Sequence, residues 1–326
     1  MIQKEIVQRL HRKESLPAYK SAACTILFFS LSAASIFAWG YGWWPVAIVC
    51  WLLQAHVGHT NLLTFHDAAH YTLHPKWWLN ELKGITIGTF ILIPLSAYRW
   101  VHNQHHLYLG TPQDAELWPF VNIRTPRWQR ILAAAGELLF GFAYSPLIFL
   151  HGVLVAKDMP RNTARRLVWE YALCVAFWSL VLTMVIVLDA IPLFIVGYVI
   201  PVVLAGNLQS LRKFTEHMGL LGDDIPSITR TVVVHRLPGR LLSASMLHVE
   251  LHGPHHVYPK IPHFNLPEST LISYEKELLQ PHLANVFPSY FAAILDMLPS
   301  LTNPSVGPQW RSQCDRSNDR SVSSTN

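Results

Sequence analysis

Four long apolar runs, Ala22–Trp39, Trp43–Leu63, Leu167–Leu188 and Ile191–Leu211, constrain this chain more than any other feature. A hydrocarbon core of about 30 Å is crossed by about 20 helical residues, and each run is close to that length. They pair as two hairpins, turning at Gly40-Tyr41-Gly42 and at Asp189-Ala190-Ile191-Pro192. Neither turn carries Lys or Arg. The basic residues gather in the N-terminal arm (Lys4, Arg9, Arg12, Lys13, Lys20), in the loop from about 64 to 166 and after 211. The positive-inside rule then predicts an all-α integral membrane protein of four transmembrane helices, with both termini and the long loop in the cytosol.

Composition supports this class. Only 14% of the 326 residues are charged and 51% are hydrophobic, against about 25% charged in soluble domains. The net charge of +5 does not indicate nucleic acid, because the cations flank apolar segments. The first run leads almost directly into the second, as in a retained anchor rather than a cleaved signal peptide. Cys24, Cys50, Cys174 and Cys314 form no CxxC pair, which argues against disulfides and thiolate metal sites.

Two more apolar stretches occupy the long loop. Gly84–Tyr98 is too short to span and is expected in the interface. Ile131–Ala156 is longer but contains Glu137, Gly141, Pro146 and His151, and is also read as interfacial. Trp77, Trp78, Trp100, Trp118 and Trp128 suit a belt at headgroup level. The expected organisation is a basic arm at 1–21, a membrane domain with a cytosolic helical cap at 22–285, and a terminal segment at 286–326, disordered from about 303. No internal repeat is evident.

Against this background stand three histidine clusters: His66-Asp67-Ala68-Ala69-His70, His102-Asn103-Gln104-His105-His106 and His252-Gly253-Pro254-His255-His256. Residues i, i+3 and i+4 share a helical face, so each cluster is expected to aim its imidazoles one way. The four-span topology places all three clusters on one side of the membrane. Neutral imidazole suits zinc, copper, iron and nickel, and eight such groups exceed the four ligands of a structural zinc site. Two metal ions are the economical reading.

His217, after the fourth run, is a ninth candidate ligand. His248 lies four residues before His252 and could join it, although Gly253-Pro254 argues against a regular helix there. His74 is read as a supporting or surface group, and His56 and His59 lie within the second run, where a hydrogen bond to another helix is as good an account as metal. Ligating imidazoles usually give their second N–H to a carboxylate. Asp67, Asp114, Glu116, Glu216 and Glu250 are near enough in sequence for that supporting role.

With these residues in place, the chain resembles the membrane fatty acid desaturase and hydroxylase superfamily over roughly residues 20–285. The three clusters match its histidine boxes in order and approximate spacing. His255-His256-Val257-Tyr258-Pro259-Lys260-Ile261-Pro262, with Leu266 following, is similar to its HHxxPxxP continuation. Phe214-Thr215-Glu216-His217-Met218-Gly219-Leu220 is similar to the EHxGL element of alkane hydroxylases, whose extended boxes are otherwise missing. The resemblance implies a di-iron centre (Fe2+/Fe3+) with His66, His70, His102, His105, His106, His217, His252, His255 and His256 as ligands. Some relatives place an Asn near position 248, and this chain has His.

The implied chemistry is oxidation of a fatty acyl chain with O2 as co-substrate, because no side chain can attack an unactivated C–H bond. Removal of two hydrogens from adjacent methylenes gives a double bond and water. On the same scaffold, hydroxylation, ketone formation or decarboxylation to a terminal alkene are the alternative outcomes. A histidine-rich metal transporter is a weaker alternative, since the boxes lie beyond the helix ends rather than at the bilayer midplane. The chain has no HPGG haem element and no Cys₄ spacing for an iron–sulfur cluster. Its electrons are therefore expected from a separate ferredoxin, rubredoxin or cytochrome, for which a basic cytosolic face is suited.

Overall fold

The computed structural model describes residues 2–276 and 285–307. Helix α1 (Ile2–Leu10) precedes two long antiparallel helices, α2 (Leu16–Gly40) and α3 (Trp44–Ala69). Next come α4 (Trp77–Phe90) and α5 (Leu95–Tyr108), a 3-10 turn at Ala115–Leu117, and α6 (Arg127–Leu154). A second antiparallel pair follows, α7 (Arg161–Val187) and α8 (Ile191–His217). Short helices α9 (Leu237–Ser245), α10 (His252–Val257), α11 (Leu266–Lys276) and α12 (Tyr290–Met297) complete the fold. One small parallel pairing joins β1 (Thr231–Val232) to β2 (Val286–Phe287).

The chain is all-helical, and its long helices carry outward-facing apolar residues such as Ile26, Phe29, Val49, Val175, Ile186 and Val187. That surface suits lipid, and the protein is a membrane protein. Among the described residues five helices are long and apolar enough to cross a bilayer: α2, α3, α6, α7 and α8. This is one more than the four runs of the sequence reading. The addition is α6, read from sequence as an interfacial segment within 131–156.

Helix α6 is interrupted at Phe140, whose φ/ψ of −131°/36° is non-helical. Ala133 and Ala134 before the break pack with Phe214 and Met218. Phe149 after it packs with Tyr98 and Val101. Its two halves thus lie against two elements that carry histidines.

The expected short interfacial stretch at 84–98 is two helices, α4 and α5, bent by 100° at the break before Pro94. Pro94 cannot donate a backbone N–H, and its fixed φ suits a helix entrance. In the first turn of α5, the Ser96 amide donates to Glu170 Oε2 of α7 at 2.7 Å, and the Ser96 hydroxyl donates to Oε1 at 2.9 Å. Arg99 donates through Nε to the carbonyl of Ala69 (2.9 Å) and through Nη2 to that of Ala68 (3.3 Å). A guanidinium on the last carbonyls of α3 satisfies orphan acceptors and complements the helix dipole. These contacts fix the first histidine cluster relative to the second.

Helix α8 contains a π-helical turn at Ile195–Val199. Its freed carbonyls are satisfied by side chains: Trp51 Nε1 donates to Val196 O (2.9 Å) and Ser32 Oγ to Gly197 O (2.5 Å). Inside a hydrocarbon layer such groups need protein partners.

The C-terminal region departs from expectation. Ser305 N donates to Phe120 O (2.9 Å) and Val306 N to Leu220 O (3.0 Å), and both residues are buried. Residues 303–307 are therefore packed rather than disordered, because they close the backbone of two neighbouring loops. Residues 308–326, including Cys314, lie outside the described residues. On both sides of the expected 285/286 boundary the chain packs against the same loop: Thr231 N donates to Asn285 O (2.9 Å) and Arg230 pairs with Asp296 (2.8 Å).

Helices α6 and α8 meet at glycines. A Cβ on Gly206 would lie 2.6 Å from the Phe142 nitrogen and 2.8 Å from its Cα. Overpacking typically costs about 1–3 kcal/mol, and rigid backbone is the obstacle here. Gly206→Val should lower the thermal midpoint of the detergent-solubilised protein by several degrees. Gly40→Ala, where nothing lies within 4 Å, should leave it unchanged. Equal midpoints would contradict this packing.

Candidate metal centre

Nine histidines converge around the C-terminal ends of α3 and α8, in two groups. One contains His66, His70, His102, His106 and His255; the other contains His105, His217, His252 and His256. Within each group one nitrogen per ring lies within 4.8 Å of all the others. These are the nine residues singled out from sequence as ligands.

The clusters do not each aim in one direction, however. His102 and His106 join the first group and His105 the second; His255 joins the first, His252 and His256 the second. On an α-helix adjacent residues point about 100° apart, so His105 and His106 diverge although both belong to one broad face. Box two and box three thus each serve both groups and tie them together. His106 and His256 rings lie 4.3 Å apart across the boundary.

Box three is helical despite its Gly-Pro pair. Helix α10 starts at His252, so Pro254 falls in the first turn, where its missing N–H leaves no hydrogen bond unmade.

The ring contacts test whether metal fits. Nε2–Nε2 separations are 3.0 Å for His66–His255, 3.1 Å for His106–His102, 2.7 Å for His252–His217 and 3.0 Å for His256–His252. Metal–imidazole bonds run about 2.0–2.1 Å, so two nitrogens at right angles on one ion sit about 3 Å apart. Burial, reinforced by neighbouring imidazoles, holds His252, His255 and His256 well below the usual imidazole range. Neutral rings keep a lone pair for a cation. The buried His70 Nε2 has no hydrogen-bond partner among the described residues. The donor set fits two ions.

Carboxylates back the rings. His102 Nδ1 is 2.8 Å from Glu116 Oε2 and His105 Nδ1 is 2.9 Å from Asp114 Oδ2. Asp67 lies 3.5 Å from His66 Nδ1, and Glu216 lies 3.6 Å from His252 Nδ1. Asp114 also accepts from the amides of Gly110 and Leu117, which fixes its orientation. Four of the five carboxylates read from sequence thus face a ring of the two groups.

Glu250 faces none of them: it takes the Ser243 hydroxyl and lies 4.0 Å from His248 Nδ1. His248 belongs to neither group. It has a positive φ of 52°, its Nδ1 meets Ser243 Oγ at 2.7 Å, and burial with His263 and Lys20 pushes its pKa down to about 4. His56 meets Ser245 Oγ (3.1 Å), His74 Nδ1 accepts the Lys76 amide (2.9 Å), and buried His59 is in neither group.

Three supporting residues had no sequence signal. His263 Nδ1 meets Asp67 Oδ2 at 2.5 Å, from 196 positions away. Arg212 donates to both oxygens of Glu216 at 2.6 Å. Tyr98 stacks on His102, with centroids 5.0 Å apart.

An apolar cavity of about 320 Å³ opens below this layer, within the range of small-ligand sites. Phe28, Phe65, Phe90, Ile148, Phe149 and Val202 line its body, while Tyr98 and Glu116 lie on the wall nearest the histidines. Glu116 is the hydrogen-bond partner of His102, so the cavity ends one side chain from the first group.

Fold and site together define a helical membrane protein with a buried, histidine-lined site able to hold metal. The chain belongs to the fatty acid desaturase family, whose pattern matches residues 41–289. It is 22% identical to a Delta(12) acyl-lipid conjugase of Impatiens balsamina over 75% of this chain and 68% of that protein. It is 23% identical to a chloroplastic omega-3 fatty acid desaturase of Glycine max over 75% of this chain and 57% of that one. A shorter match, 31% identical over 23% of this chain and 21% of the relative, is to an sn-1 acyl-lipid omega-3 desaturase (ferredoxin) of Nostoc sp.. The chain thus covers less than two thirds of the length of several relatives that it matches.

Asp114→Asn should weaken metal retention by about 10–100-fold, the usual cost of losing a carboxylate behind a ligating imidazole. His102→Ala and His255→Ala should remove most of the metal, whereas His248→Ala should retain it. Metal content after dialysis against a graded chelator, measured on protein still inserted in membranes, checks all four.

Proposed function

We propose that this chain is a membrane-bound, non-haem di-iron oxidoreductase that desaturates a fatty acyl chain with O2. The observation that carries the reading is the end of an apolar cavity against Tyr98 and Glu116, directly beside the first histidine group. His66, His70, His102, His106 and His255 would hold one iron; His105, His217, His252 and His256 would hold the other. The pair would supply, with O2, an oxidant able to take hydrogen from an unactivated C–H bond.

The protein's own side chains bind, orient and exclude water. The aromatic and aliphatic cavity wall takes a hydrocarbon chain. Asp114 and Glu116 hold the His105 and His102 rings in place by accepting their outer N–H groups, which fixes the tautomer facing the metal, and Asp67 and Glu216 stand behind His66 and His252. Phe65 and Phe149 pack with Tyr98 against the cavity and keep the reacting segment out of water.

In this reading α2, α3, α7 and α8 cross the bilayer, while α6 stays at the level of the histidines, as the contacts of both its halves favour. The organisation is then a basic arm at 1–21, a membrane domain from 22 to 285 and a terminal segment from 286 that packs back onto it. The positive-inside distribution of charge supports a cytosolic position for the site and both termini. Electrons come from a separate carrier of ferredoxin, rubredoxin or cytochrome type; the name of the Nostoc relative specifies ferredoxin.

Membranes containing the protein, incubated with labelled saturated acyl substrates of several chain lengths and a reducing system, should yield a product two hydrogens lighter, only when O2 is present. Chelation of iron should abolish turnover, and iron re-addition should restore it. An alcohol, a ketone or a terminal alkene formed without an internal double bond would overturn desaturation in favour of another outcome on the same scaffold.

A further inference from the structure

Several buried or half-buried cations of this fold meet carboxylates. Lys213 pairs with Glu137, Arg212 with Glu216, Arg99 and Arg166 with Glu81, and Arg230 with Asp296. Lys83 of α4 is different. It lines the apolar cavity, and its ammonium donates to Thr25 Oγ1 (2.7 Å) and to the carbonyl of Ser21 (3.3 Å). Among the described residues no acidic group pairs with it. Thr25 in turn donates to Asn61 Oδ1 at 3.1 Å. Lys83, Thr25, Asn61 and Thr86 therefore form a polar spot on the wall of a cavity that is otherwise mostly hydrocarbon.

A cation held against apolar walls is costly unless an anion joins it. A lysine ammonium has three donors, and the two acceptors here are both neutral, so the third donor and the charge remain available. We propose that Lys83, oriented by Thr25, is the anchor for the carboxylate of a single-chain fatty acid whose hydrocarbon tail fills the cavity. This rests on the reading of that cavity as the acyl site and specifies the form in which the acyl group is taken. A free carboxylate fits better than a glycerolipid because the cation is part of the cavity wall, and about 320 Å³ is at the small end for a ligand site. The printed names of the Impatiens and Nostoc relatives specify acyl lipids, so the inference separates this chain from them.

Equilibrium binding to the purified iron-loaded protein in detergent tests this without turnover, so its failure is distinct from failure of the desaturase reading. The probes are a radiolabelled long-chain saturated acid, its methyl ester and a phosphatidic acid with the same acyl chains. The wild-type protein should bind the acid about tenfold or more tightly than the methyl ester, the scale of one charge-assisted hydrogen bond. Lys83→Met should erase that preference by weakening the acid alone, and Lys83→Arg should keep most of it. Equal wild-type affinity for acid and ester overturns the proposal without any variant. So does a Lys83→Met protein that loses both ligands equally, which marks a packing role. A phosphatidic acid that binds more tightly than the free acid and depends on Lys83 also overturns it, assigning the cation to a lipid phosphate.

Discussion

The site depends on hydrogen bonds between carboxylates and the outer nitrogens of buried imidazoles. Nine buried or half-buried imidazoles, several with their Nε2 atoms about 3 Å apart, do not assemble for hydrophobic reasons. Two rings are hydrogen-bonded from their far side, His102 by Glu116 and His105 by Asp114, and Asp67 and Glu216 stand behind His66 and His252 at 3.5 and 3.6 Å. Those carboxylates are held in turn by His263, by the backbone amides at Gly110 and Leu117, and by Arg212. Ring orientation thus passes outward through two layers of hydrogen bonds into ordinary helix packing.

The helical frame serves that arrangement. Arg99 on the last carbonyls of α3 and Glu170 on the Ser96 amide in the first turn of α5 lock the two helices that bear boxes one and two. The sharp bend before Pro94 turns α5 away from α4 and leaves room below for the cavity. Box three returns from the far end of the chain, and its surroundings are closed by Leu10, Leu251, Ile261 and Leu266, which bring α1 against it. An apolar chamber and a metal-capable layer are therefore adjacent by construction.

Much of this was legible in the sequence because its signals are local. Hydropathy marked α2, α3, α7 and α8, each extending a few residues beyond its apolar run because polar helical residues such as His66 and His217 carry no hydropathy signal. The i, i+3, i+4 spacing marked the histidines. The division of boxes two and three between two groups was not legible, since spacing gives a shared face but not its angular spread. His263, Arg99 and Arg212 were missed because their roles depend on contacts made only after folding, one of them across 196 positions. Helix α6 was read as interfacial because Glu137, Gly141, Pro146 and His151 interrupt its apolar run. Glu137 is in fact neutralised by Lys213, and the backbone break falls at Phe140 rather than at the proline.

Anomalous scattering at the iron edge, from crystals of the protein loaded with iron, addresses the central claim most directly. Two peaks are expected, one within bonding distance of His66, His70, His102, His106 and His255 and the other of His105, His217, His252 and His256. A single peak, or iron bound away from these rings, would contradict the account.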